Sequence, residues 1–431
     1  MRVLLVGGGG REHALAWALS RSPLVDRLIC APGNPGMAEV GECAPVGADD
    51  LAGLAALAAG ERIDLVVVGP EVPLVEGLAD LLRERRMRVF GPGKAGARLE
   101  GSKSWAKSLM KRKGIPTAEG AAFDRCEEAL DYVERLKGPL VVKADGLAAG
   151  KGVVVCDDQA QARAAVEGAM ARRVFGEAGK RVVIEERLEG EELSILAFCD
   201  GKTILAMPPA QDFKRANDGD RGPNTGGMGS HSPVPACTEA VFGEVLDEIL
   251  EPVAAALAEE AEPYTGVIYA GIMLSEDGPK VLEFNCRFGD PETQTLLPRL
   301  DGDLAEVIVA STQGALAGVG LRWRDEACVA VVAASEGYPG PCRTGLPISG
   351  LGEAASLSGL PVFHAGTTLD AGGTLRTSGG RVATVSALGA DHAEASRRAY
   401  GAIRKISFEG IWYRSDIGAR ICGGGPARSR L

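Results

Sequence analysis

Apolar and polar positions follow two rhythms along this chain. Near the N-terminus short apolar runs dominate, at Val3 to Val6, Arg27 to Ala31, Ile63 to Val68 and Arg88 to Phe90. Runs of this length, bounded by glycine and proline, predict strands buried on both faces. Between them the rhythm is helical, as in REHALAWALS (11–20), where Ala14, Leu15, Ala18 and Leu19 share one side. Strand and helix in alternation predict a Rossmann-like parallel sheet with helices on both faces over residues 1–100. The loops APGNPG (31–36) and GPEVP (69–73) then lie at strand C-terminal ends, where open sheets of this kind hold ligands.

After residue 100 the pattern changes. A lysine-rich helix is predicted near 101–113, then strands over 121–123, 140–143, 153–156, 181–186 and 193–200, with an alanine-rich helix at 159–171. Several neighbouring strands read as hairpins, so this sheet is expected to be antiparallel. A Gly, Pro and Asn loop follows at 217–235, a long helix at about 238–260, and two strands, 266–275 and 279–287, joined by EDG. The final hundred residues carry short strands, the turns GYPG, HAGT and GGRV, and one helix near 391–405. The expected architecture is therefore α/β and α+β in three parts: 1–100, 101–325 with a flap subdomain at about 120–190, and 326–431.

A chain of 431 residues has room for two to four domains. Its 47 basic and 58 acidic side chains leave a net charge of −11, which argues against a nucleic-acid surface but leaves room for local basic pockets. Ten scattered cysteines, never spaced C-x-x-C, and only four histidines support neither a zinc site nor a disulfide framework. No stretch reaches the roughly 18 apolar residues of a membrane span, and no signal sequence opens the chain. The expectation is a soluble, cytoplasmic protein with reduced thiols and neither nucleic acid nor membrane as partner.

Five stretches carry candidate chemistry. In PLVVKADGLAAGKGVVVC (139–156), Gly146, Gly150 and Gly152 with Lys143 and Lys151 have the chemistry of a phosphate cradle, since backbone N–H groups and ammonium ions can both approach a polyanion. The P-loop spacing fails, and a strand follows where a helix would be required, so a strand–loop–strand hairpin is the reading. GGGG (7–10) also fails the dinucleotide spacing. It leaves either a structural turn or one aimed at a helix N-terminus, with Arg11 beside it for an anion. In VLEFNCRFGDPETQ, alternation puts Glu283, Asn285 and Arg287 on one face. The first two are hard oxygen ligands suited to Mg²⁺ and the third could neutralise an anion; the other reading is a solvated edge face. RGPNTGGMGS (221–230) is either an anion nest or a surface loop, and VVIEERLEGEELSI (182–195) either a nucleotide-binding hinge or merely a charged one. His231 and His364 read as capping or packing residues, and no nucleophile-elbow or Cys–His signature is present.

In order along the chain, GGREHALAW, APGNPG, VVGPEVPLVEG, LEGSK, KADGLAAGKGV, GPNTGGMG, EFNCRFGDPETQ, HAGT and GGRV resemble the glycinamide ribonucleotide synthetase (phosphoribosylamine–glycine ligase) family of ATP-grasp enzymes. The resemblance spans nearly the whole chain and implies an ATP-grasp core whose mobile flap closes over ATP. It implies that Lys103, Lys143, Gly150, Lys151 and Gly152 hold ATP phosphates, that Glu185, Glu186 and Leu188 form the adenine hinge, and that Glu192 meets the ribose. Glu283 and Asn285 would ligate Mg²⁺ or Mn²⁺, and Arg287, Asp290, Asn224 and Gly226 would line the acyl-phosphate pocket. The resemblance leaves the turn at Gly9, Gly10 and Arg11, with Glu71, for phosphoribosylamine. The implied partners are glycine and phosphoribosylamine, for a monomer in transient contact with the enzyme supplying the amine. Two positions depart from the family pattern: Phe213 stands where histidine is usual, and His231 where tyrosine is common. The rival readings are an ATP-grasp carboxylase and a non-catalytic nucleotide-binding regulator.

Overall fold

The computed structural model describes residues 1–148, 152–260 and 263–421. The N-terminal strands form a five-stranded parallel sheet in the order Glu42–Cys43, Arg27–Pro32, Arg2–Gly7, Leu65–Val68, Arg88–Phe90. The apolar runs are buried on both sides, as their lack of alternation implied. Leu4 and Val6 face a core shared with Ile195, Ile268 and Phe284, while Val3 and Leu5 face another containing Leu15, Leu19, Phe198 and Phe288. Strand order reverses between Arg2–Gly7 and Leu65–Val68, which opens a crevice at their C-terminal ends.

A four-stranded antiparallel sheet follows, in the order Gly120–Phe123, Val182–Glu186, Leu140–Ala144, Val153–Cys156. The last two are the hairpin read from the sequence, with Lys143 opposite Val153. A second antiparallel sheet runs Ile204–Ala206, Glu191–Asp200, Thr265–Ser275, Gly278–Asn285. A third, Gln211–Asp212, Gly229–Ser232, Ala327–Ala334, Arg381–Gly389, Val362–His364, carries helices Leu351–Ser358 and His392–Ile403.

Several sequence readings shift. The lysine-rich helix is Lys103–Lys113, its start capped where the Ser102 side chain accepts the Trp105 N–H, and a separate helix, Lys94–Gly101, precedes it. The helix expected at 159–171 is regular only to Val166, after which Glu167–Ala171 form a wider turn. Helices Cys126–Arg135, Leu304–Gln313 and Leu351–Ser358 escaped the reading. The supposed loop 217–235 holds strands Arg221–Asn224 and Gly229–Ser232; the latter joins the third sheet through Ala327–Ala334, so a glycine-rich segment gains a fixed position by borrowing a distant partner. The strand expected to reach 287 ends at Asn285, so Arg287 lies beyond the alternation used to orient it.

Candidate functional site

The three parts of the chain meet around a cleft of about 1960 Å³, larger than one drug-sized ligand fills. Lys103, Lys143, Lys214, Arg287 and Arg381 line it together with carboxylates that include Glu71, Glu185, Glu192, Glu283 and Asp290. The cations of this wall can meet an anionic ligand and the carboxylates a cation.

On the flap side, Lys103 Nζ donates to the Gly146 carbonyl at 3.2 Å and Lys143 Nζ to the Leu282 carbonyl at 2.8 Å. Burial lowers the Lys103 pKa, with the nearby Glu283 carboxylate opposing it. Gly152 is packed close, since a Cβ there would stand 2.7 Å from that of Ala148. Gly150 and Lys151 lie outside the described residues. Glu185 is not a free hinge carboxylate: its oxygens are held by Lys107 at 2.8 Å and Lys143 at 2.5 Å. Burial pushes its pKa up, but Lys143 and Lys107 outweigh that and hold it below the ordinary value. Two cations reach this carboxyl before any adenine could, so its side chain orients a lysine, while its backbone is paired within the sheet. Glu186 accepts the Glu119 N–H at 2.9 Å, and the turn continues through Leu188 along the cleft wall.

Glu192 lines the same wall and is bridged to Glu283 by Lys214, whose Nζ lies 3.3 Å from one carboxylate and 3.7 Å from the other. Burial lowers the Lys214 pKa, yet Asp212, Glu192 and Glu283 overcome it and raise it well above its ordinary value. Asp212 is crowded in turn: burial, offset in part by Lys214 and reinforced by Glu292, Glu192 and Glu283, lifts it to about 7. Glu283 is held low, because Lys214, Lys103, Lys143 and Arg287 outweigh its burial.

Glu283 and Asn285 both reach the cleft, as alternation from one strand requires. Among the described residues no group of three or more His, Cys, Asp or Glu side chains is placed to hold a metal ion. One carboxylate and one amide oxygen instead fit a hard divalent cation that takes its other ligands from phosphate and water. Arg287 does not present a free guanidinium. It donates to Glu71 at 3.1 Å, Glu100 at 2.8 Å and the Asn285 Oδ1 at 3.3 Å, so it fixes the amide of the metal pair.

The N-terminal turn differs from its sequence reading. Helix Gly10–Ser20 does begin there, but the anion at its N-terminus is the chain's own Glu12. Glu12 accepts the Gly9 N–H at 2.8 Å and Arg11 Nε at 2.5 Å. Gly7, at φ +121°, and Gly69 make room for that side chain, since a Cβ at either would fall within 2.5 Å of it. Gly10 is packed likewise, with a Cβ reaching 2.7 Å from Gln294. One terminal nitrogen of Arg11 donates to the Phe288 carbonyl at 3.1 Å and stands 3.9 Å from Glu71. Arg11 is buried, yet it lines the cleft. Glu71 lines it too, at the sheet's switch point; burial raises its pKa, but Arg287 and Arg11 hold it at about 2.

Asp290 lines the cleft too, accepting from Gln294 at 2.7 Å and paired with Arg381 at 3.2 Å. Asn224 and Gly226 reach the wall, but the nest reading of their loop fails. A nest needs free N–H groups, whereas those of Thr225, Gly226 and Gly227 go to the Lys214 carbonyl, the Tyr338 hydroxyl and the Thr225 hydroxyl. Arg381 holds the Gly226 carbonyl at 2.7 Å and the Asp290 carbonyl at 2.8 Å, and so locks the loop to Asp290. Phe213 and His231 pack together, ring centroids 5.9 Å apart, with His231 held by Gln211 at 2.8 Å. Sequence reasoning missed Lys107, Asp212, Lys214, Glu292, Tyr338 and Arg381. Polar alternation in QDFKR was the available signal for two of them.

A strand hairpin folded over lysines, facing an oxygen-bearing strand of a second antiparallel sheet, defines an ATP-grasp enzyme. Within that class the chain belongs to the phosphoribosylglycinamide synthetase family. Models of that family's N domain, ATP-grasp (A) domain and C domain match residues 1–100, 101–293 and 328–420. The phosphoribosylamine–glycine ligase of Caulobacter vibrioides is 51% identical over 421 residues, covering 97% of this chain and 98% of that one. That of Brucella melitensis is 49% identical over 420 residues, with the same shares covered. The crystal structure of the Thermotoga maritima phosphoribosylamine–glycine ligase superposes with a TM-score of 0.81 at 34% identity, covering 97% of this chain and all of that one.

Proposed function

We propose that this cleft joins glycine to 5-phosphoribosylamine with ATP, giving glycinamide ribonucleotide, ADP and phosphate in purine biosynthesis. One observation carries the reading: Lys103, Lys143 and Lys214 converge on the Glu283–Asn285 pair inside a single cleft. The glycine carboxylate attacks the γ-phosphorus and ADP leaves. The amine nitrogen of phosphoribosylamine then attacks the carbonyl carbon of glycyl phosphate, phosphate departs and the nitrogen loses a proton.

The residues act chiefly by position and charge. Lys103 and Lys143 hold phosphate oxygens, with Glu185 and Lys107 setting the orientation of Lys143. The hinge Glu185–Leu188 takes the adenine through its backbone and Glu192 the ribose. Glu283 and Asn285 would hold Mg²⁺, for which Mn²⁺ can substitute because the donors are oxygens alone. When bound, that ion supplies charge neutralisation at the phosphates. Glu71 and Asp290 line the wall assigned to phosphoribosylamine, with Gly9, Gly10 and Arg11 supporting it from behind. The functional parts are residues 1–100, 101–325 and 326–431, in a cytoplasmic monomer that meets the enzyme supplying its amine transiently. Glycine-dependent ADP release, with phosphoribosylamine generated in situ, tests the reaction; release that is independent of glycine refutes it.

A further inference from the structure

The C-terminal segment 413–421 forms part of the cleft wall, through Asp416, Ala419, Arg420 and Ile421. Its anchor is Arg414, whose side chain is fully buried. Four of the five N–H donors of that guanidinium are committed. Nε and NH2 grip the two oxygens of Asp416, each at 2.7 Å, and NH1 reaches Asp220 at 2.8 Å and the Arg215 carbonyl at 3.0 Å. The guanidinium carbon also stands 4.9 Å above the centre of the Phe213 ring. Arg414 therefore holds the residues on both sides of Lys214, one by stacking and the other by a hydrogen bond.

The backbone here is also tied to the neighbouring segment: the Phe213 N–H donates to the Gly229 carbonyl at 2.9 Å, the Phe213 carbonyl accepts the Met228 N–H at 2.8 Å, and the Lys214 carbonyl accepts the Thr225 N–H at 2.7 Å and its hydroxyl at 2.9 Å. The Lys214 ammonium stands between Glu192 and Glu283. A small rotation of residues 213–215 would move that ammonium off both carboxylates, since 3.7 Å is already at the limit of an ion pair. We propose that Arg414 is a positioning residue: from a segment about 200 residues away in sequence, it fixes Phe213 and Arg215 so that Lys214 bridges the ribose-side and metal-side carboxylates. Arg414 is fully buried and does not itself line the cleft, so it acts through Lys214. Phe213 is essential to the device, because a flat apolar ring receives a flat cation that a positively charged side chain at 213 would repel.

The inference rests on the reaction proposed above, and a double-mutant cycle separates the two. Arg414→Lys keeps the charge but loses the fork and the stack; kcat is expected to fall about tenfold. Lys214→Met alone should cost more. Arg414→Lys added to Lys214→Met should then cost less than about a further twofold, because the residue it positions is gone. A merely structural role predicts losses that multiply. Should Arg414→Lys fail to fold, Phe213→Leu, which removes only the ring face, carries the same cycle with an expected loss of about threefold. Wild-type kcat in Arg414→Lys, or multiplying losses in either cycle, overturns the proposal. A wild-type enzyme without glycine-dependent ADP release overturns the reaction instead.

Discussion

Replacing Glu283 by alanine removes one of two candidate metal oxygens and a carboxylate that pairs with Lys214 at 3.7 Å and is held low by Lys214, Lys103, Lys143 and Arg287 against its burial. Asn285 keeps its clamp to Arg287, so the strand itself should stay in place. Lys214 keeps Glu192, Lys143 keeps Glu185 and Arg287 keeps Glu100, so the fold should tolerate the change. The expected effect is therefore on turnover. Losing the carboxylate removes one metal ligand and leaves the remaining lysines repelling one another where the phosphates must sit. A hundredfold fall in kcat, about 3 kcal/mol of transition-state stabilisation, is expected. The assay is ADP release with glycine and phosphoribosylamine over a Mg²⁺ titration, with urea unfolding as the control for stability. Turnover near wild type at saturating Mg²⁺ would refute the assignment of Glu283 as a metal ligand.

Three further outcomes follow from the cited contacts. Arg11→Met strands the buried Glu12 carboxylate and should lower stability to urea by about 3 kcal/mol; an unchanged midpoint with a raised KM for phosphoribosylamine alone would restore Arg11 as a ligand-binding cation. His13 is pushed by burial, and by His364, to about 3, and burial takes His364 to about 4, while both titrate near 6.5 when unfolded. Their neutral forms thus stabilise the fold fully above pH 6.5, and that contribution is lost as pH falls toward 4 and below. At pH 5 the loss from His13 is about 2 kcal/mol, and His13→Asn should flatten the dependence of the urea midpoint on pH between 6.5 and 4; an identical slope refutes it. Finally, ATP with Mg²⁺ should slow hydrogen exchange at residues 144–148 and 152–156, because Gly146 and Gly152 flank the stretch that meets the phosphates; equal protection with and without nucleotide refutes flap closure.

The legible elements were those whose burial is local. Val3 to Val6 announced a strand because both its faces are buried within one sheet, and Lys143 to Val153 announced a hairpin because its two strands are adjacent in sequence. Gly229–Ser232 was illegible because what orders it, the strand Ala327–Ala334, lies about a hundred residues on. The helix break at Ser102 was legible in principle, since serine is a capping residue, but LEGSK read as a motif rather than as a boundary.

The same distinction governs the site. Glu283 and Asn285 share a strand face, so spacing alone pointed to them, whereas Lys214 gains its meaning from Glu192 and Glu283 on two other strands. The N-terminal turn is instructive. A glycine turn aimed at a helix N-terminus attracts a negative charge, and that physical argument held. What spacing could not say was whose charge arrives. Glu12, two residues inside the helix, is tethered to the site and needs only the space left by Gly7 and Gly69 to fold back onto the Gly9 N–H. An intramolecular carboxylate at that distance competes with any diffusing phosphate at a high effective concentration. Paired with Arg11 on the same side, it takes the helix N-terminus for itself.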